Sequence, residues 1–138
     1  MLKYDFHEIL TLPSRQSSLD LAESVIEHIR DKYVISLDKY YNILIAITEA
    51  VNNAISHGNS YDSNKFVKFD VYASESGIEV FIQDEGKGFD PQNIADCTDE
   101  ENLLKDSGRG IFIMQSLADE FEITTNHSGT LFRMYFGI

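Results

Sequence analysis

Glu49, Asn53 and His57 recur at intervals of four residues, and in a helix side chains four apart lie one above the other on the same face. At about 100° per residue, Ile47 and Val51 point roughly opposite Glu49. One helix would therefore carry an apolar stripe toward a sheet and a polar stripe toward something else. A carboxylate so placed can orient or deprotonate a hydroxyl, and an amide oxygen is a hard ligand suited to Mg2+, which keeps most of its waters and takes few protein ligands. The same residues would also serve as a plain solvated face, with His57 complementing a helix C-terminus.

Two further groupings have chemical potential. Asp84-Glu85-Gly86-Lys87-Gly88-Phe89 directly follows the apolar run IEVFIQ, which puts a carboxylate at a strand end before two flexible residues. Asp84 can accept a hydrogen bond from the exocyclic amine of a purine, while Gly86 and Gly88 let the backbone turn with no Cβ in the way. A tight turn in which Asp84 bonds its own backbone reads equally well from these residues. Ser107-Gly108-Arg109-Gly110 precedes IFIMQSLA and places glycines and unpaired amides at a helix N-terminus, where anions bind. It is neither a Walker A loop nor a dinucleotide fingerprint, since no Lys-Ser/Thr and no third glycine follow.

These residues need elements to hold them. Residues 2–11 read as a strand, and Ser17 or Ser18 as the cap of a helix to about Lys32 whose apolar stripe is Leu19, Ala22, Val25, Ile26 and Ile29. A second helix runs from Leu37 to His57 on Tyr40, Leu44, Ile47, Val51, Ala54 and Ile55, and Gly58 stops it. Phe66–Ala73 and Ile78–Gln83 form a hairpin turning at Glu75, Ser76 and Gly77, with Val67, Phe69 and Val71 on one face. Residues 84–107 are irregular and acidic, a loop-rich lid that contains Cys97, and a third helix spans Gly110–Leu117. Strands near Glu122–Thr125 and Thr130–Phe136 close the chain. The expected fold is α+β: two layers, with a mixed, mostly antiparallel sheet and the helices on one face.

Composition narrows the function. The chain has 138 residues, enough for one domain spanning 1–138. With 11 basic and 23 acidic residues the net charge is −12, which disfavours attraction to nucleic acid or to anionic lipid. A single cysteine permits no internal disulfide, no apolar run is long enough to span a membrane, and the start MLKYDFHEIL is unlike a signal peptide. A reducing cytoplasm is the expected compartment.

The order and spacing of the three groupings resemble the GHKL superfamily of Bergerat-fold ATPases and kinases. ITEAVNNAISHGN is similar to that family's N box, DEGKGF to its G1 box and SGRGIFIMQSLADEFE to its G2 box, while Gly129-Thr130 lies where the family often places a phosphate-contacting hydroxyl. The EAVNNAISHGN form and the short G2 box are most similar to the anti-sigma-factor serine kinases of the RsbW and SpoIIAB type. The resemblance implies Glu49 as catalytic base for a serine hydroxyl, Asn53 as Mg2+ ligand with Asn52 secondary, and Asp84 as the carboxylate that reads adenine. Gly86, Gly88, Gly108 and Gly110 would shape the ATP pocket. Where some members of this branch carry a basic residue, the chain has Asp106, so a cation for the γ-phosphate comes from Lys105, Arg109 or neither, with Arg109 between two glycines the better placed.

By the same resemblance the partners are an anti-anti-sigma protein, which receives the phosphate, and a sigma factor, which is held inactive, with the chain a homodimer. Two other readings are a non-catalytic partner-switching module and the detached ATP-binding domain of a histidine kinase. Glu49 favours catalysis over the first, and the absence of a helical hairpin with a phosphoacceptor His before the N box argues against the second.

Overall fold

Alternating apolar and polar residues let one face of a ladder bury while the other meets solvent. The computed structural model, which describes residues 3–88 and 106–138, forms such strands on both sides of the hairpin turn. In chain order the elements are β1 (Phe6–Pro13), α1 (Ser18–Lys32), α2 (Leu37–Asn53) running into a π-helical turn (Ala54–Gly58), β2 (Phe66–Ser74), β3 (Gly77–Gln83), α3 (Asp106–Leu117), β4 (Glu120–Asn126) and β5 (Gly129–Gly137). The strands make one sheet in the order β1-β2-β3-β5-β4. All four ladders are antiparallel, so among the described residues the sheet has no parallel component and the expected mixture is pure.

Register decides which side chains meet the helices. Leu10 pairs with Phe69, Val71 with Val80 and Val80 with Met134, so one face is apolar across the sheet. Val67, Phe69 and Val71 are fully buried there, as the alternation predicts, under Val25, Ile26 and Ile29 of α1 and Ile43, Ile47 and Val51 of α2. Each such side chain contributes about 1.5–3 kcal/mol on leaving water. The opposite face is polar and aromatic: His7 stacks on Tyr72, and Arg133 pairs with Glu79 at 2.6 Å. This is the expected two-layer α+β arrangement, with the helices on one face.

Element ends differ from the periodic reading in ways that have causes. Pro13 ends β1, where an edge strand tolerates a residue without an N–H. Neither candidate serine caps α1: Ser17 makes no side-chain cap, and the buried Ser18 hydroxyl donates to the carbonyl of Pro13 at 2.7 Å, which fixes the turn from β1 into the helix. Ser36 does cap α2, accepting from the N–H of Lys39 at 3.3 Å. The α-helical winding of α2 stops at Asn53, and the π turn carries the chain to Gly58. There the N–H of Asn59 donates five residues back to the carbonyl of Ala54 at 2.8 Å. No helix among the described residues is long and apolar enough to cross a membrane.

Candidate functional site

Asp84 leaves the end of β3 and is 3% exposed. Its N–H donates to the carbonyl of Thr130 at 3.0 Å, and its Oδ1 accepts from the N–H of Thr130 at 3.0 Å and of Gly86 at 2.9 Å. Burial pushes its carboxyl above the ordinary range, and the two amide donors and the Lys65 charge pull the other way. Oδ2 lies against Gly58 at the close of the π turn, where a Cβ would overlap it. Gly129, at φ +144°, sits against the Asp84 carbonyl in the same manner, and Gly86 against the carbonyl of Gly58. Glycine is what allows three backbone segments to converge on one carboxylate.

Asn59, the last residue of the ITEAVNNAISHGN segment, holds this convergence together. It is 1% exposed; its amide donates to Ser14 Oγ at 2.9 Å and to the Phe66 carbonyl at 3.1 Å, and its Oδ1 accepts from the N–H of Glu85 at 2.7 Å. Glu85 closes the circuit by accepting from the N–H of Phe66 at 2.5 Å. These partners are distant in sequence, so the only local signal is a polar residue directly after the helix-stopping Gly58.

The second half of the site forms where α3 meets α2. A Cβ built on Gly110 would stand 2.9 Å from Asn53 Nδ2 and 3.0 Å from Glu49 Oε2. One glycine therefore touches both residues of the polar stripe. Asn53 is 8% exposed and its Nδ2 has no hydrogen-bond partner, whereas Glu49 is half-buried. The stripe does not extend to His57, which is exposed, because the π turn winds more residues per turn and breaks the four-residue stacking.

Asn53 suits Mg2+: its carboxamide oxygen is a hard neutral donor, and the orphaned buried nitrogen is a group that a bound species or its waters would satisfy. No cluster of three or more His, Cys, Asp or Glu exists among the described residues.

Other expected residues divide between the two halves. Gly108 and Gly110 are buried and Arg109 exposed, all within the opening turns of α3, which begins at Asp106 and not at Gly110. The helix runs through both glycines at a cost of about 1 kcal/mol each, and Gly110 gains its approach to α2. Thr130 sits beside Asp84, and its hydroxyl, expected to meet a phosphate, donates to Thr125 Oγ1 at 3.2 Å. Gly88, at φ +76°, runs against the carbonyl of Asn126 at the end of β4. Most of the expected lid, with Cys97 and Lys105, lies outside the described residues.

Compared with known proteins, residues 12–136 match the model of the histidine kinase-like ATPase domain. The chain is 28% identical to the serine-protein kinase RsbW of Oceanobacillus iheyensis, covering 97% of this chain and 87% of that one. It is 26% identical to RsbW of Bacillus subtilis, covering 91% and 81%. Among solved structures it resembles the RsbU and RsbW domains of a Mycobacterium tuberculosis protein, with a TM-score of 0.69 at 16% identity over 95% of this chain and 32% of that longer one. The mycobacterial sensor histidine kinase MprB gives a TM-score of 0.58 at 15% identity over 96% and 97% of the two chains. These structural likenesses are of fold.

Proposed function

Because the chain belongs to the histidine kinase-like ATPase domain family, we propose that it is an ATP-dependent protein-serine/threonine kinase that phosphorylates an anti-anti-sigma protein and holds a sigma factor inactive. The observation that carries this reading is the meeting of Glu49 and Asn53 at Gly110. A module that only bound nucleotide would have no chemical need for a carboxylate beside the phosphate-side glycines. The kind of kinase is supported by the relatives named serine-protein kinase RsbW.

In this reading adenine lies at Asp84, with Gly86, Gly88 and Thr130 around it, and the phosphates lie toward Gly108, Arg109 and Gly110. Asn53 would hold Mg2+, which would neutralise phosphate charge. The serine oxygen bonds to the γ-phosphorus as the bond to ADP breaks, ADP leaves with the electron pair, and the hydroxyl proton passes to the Glu49 carboxylate. One domain does this in the cytoplasm, as a homodimer for which the outer edge of β1, unpaired among the described residues, offers an interface.

Phosphotransfer from γ-labelled ATP to purified anti-anti-sigma proteins tests the proposal. Glu49→Gln should cut transfer by about a thousandfold and leave ATP affinity within about twofold. ATP binding without transfer by the unaltered chain would leave a sequestering module, and no ATP binding would remove the kinase reading altogether.

A further inference from the structure

Surface helices turn their apolar stripe inward and their charges to solvent, and α2 breaks that pattern. It is contacted by both α1 and α3 and lies between them, its inner arc filled by Tyr40, Ile43, Ile47 and Val51. Its outward arc, which should be charged, holds Leu37, Tyr41 and Ile45 in successive steps of four, 54%, 53% and 46% exposed, with Leu44 half-buried beside them. One more step of four along the same row is Glu49. The charged residues on this arc are Asp38 and Glu49, both acidic, while Lys39 lies on the other side of the helix.

We infer that this apolar row is the docking surface for the phosphoacceptor protein, seating a short segment whose apolar residues pack on Leu37, Tyr41 and Ile45, whose flanks are basic, and whose serine is thereby delivered to Glu49. The inference rests on the kinase reading above. Three observations choose the occupant. The row ends at the carboxylate that must receive the serine proton, so a protein held on it is held next to the chemistry. From Leu37 to Ile45 it is about 12 Å long at 1.5 Å per residue, the reach of two helical turns. The charges α2 gives its rim are acidic, with Arg30 of α1 lying over Tyr40 on the other side. The chain carries a net charge of −12, so a second copy would bring Asp38, Glu49 and the same net charge against themselves, whereas a basic flank is attracted by Asp38 and Glu49.

The experiment uses the full chain, with the anti-anti-sigma protein that accepts phosphate from it as probe. It measures KM for that protein, kcat, ATP affinity by calorimetry and mass by sedimentation. Ile45→Asp should raise KM about tenfold or more with kcat and ATP affinity unchanged, and Tyr41→Ala, which only trims an exposed side chain, should move KM in the same direction. Asp38→Lys should raise KM several-fold at low salt, with the effect shrinking as ionic strength rises. An unchanged KM in Ile45→Asp and Tyr41→Ala overturns the inference and leaves the kinase reading standing. Conversion of a dimer to a monomer by either variant also overturns it, since the face would then join two copies. If the unaltered chain transfers phosphate to no anti-anti-sigma protein, the kinase reading fails and takes this inference with it.

Discussion

Asp84 and Asn53 are both buried polar side chains, 3% and 8% exposed, yet the chain treats them oppositely. Around Asp84 the protein supplies its own partners: two amides on one carboxylate oxygen, three close-packed glycines, and the Asn59 circuit that ties Glu85 to Phe66. Around Asn53 it leaves a buried nitrogen without a partner and brings up a glycine instead of an acceptor. An unpaired buried polar group costs about 1–3 kcal/mol. The Asp84 half is thus built to stand without ligand, and the Asn53 half carries a cost that a bound group would relieve.

Substitutions can break this contrast. The largest expected effect is on folding: Gly129→Ala must hold a side chain at φ +144° against the Asp84 carbonyl. It should lose more than about 3 kcal/mol, read as a fall of about 10 °C in Tm. Next is Asp84→Asn, whose amide oxygen can still accept from Gly86 and Thr130 but whose nitrogen opposes the purine amine. ATP affinity should fall about a hundredfold, and equal affinity would detach Asp84 from base recognition. Asn53→Leu removes the orphaned nitrogen, so unfolding by denaturant should show a gain of about 1 kcal/mol while Mg2+-dependent ATP binding is lost. A loss of stability there would erase the contrast between the halves.

The smallest effect is a dependence on pH. Because burial raises the Asp84 carboxyl above its ordinary value of 3.8, the folded chain retains a proton between 3.8 and its native value that the unfolded chain has released. Stability from this group is therefore present below 3.8 and falls as pH rises through the native value. Denaturation of Asp84→Asn and of the unaltered chain across pH 4–7 should show the gap widening in favour of the variant as pH rises; a constant gap would mean that the carboxyl is not raised.

Periodicity carried much of the architecture. The alternation of Val67, Phe69 and Val71, the turn at Glu75 and Ser76, and the inward stripe of Tyr40, Ile47 and Val51 are local patterns, and each appears where the spacing puts it. What spacing could not contain is long-range closure. Gly110 lies 57 residues from Asn53 and 61 from Glu49, and nothing local to any of them encodes the meeting. Asn59 is silent for the same reason, and the π turn because helical signals do not distinguish five-residue from four-residue bonding. The sequence singles out Thr130 but not its place beside Asp84, since the register of β3 on β5 decides that.

The strand order has a consequence for synthesis. β5 comes last in this sequence but lies in the sheet between β3 and β4. A chain emerging from the ribosome at about 5–20 residues per second can pair β1, β2 and β3 early. Asp84, however, meets neither Gly129 nor Thr130 until the closing strand arrives. A nascent or prematurely ended copy therefore lacks half of the contacts around Asp84, and under the proposed function it would capture nucleotide only once the sheet is finished.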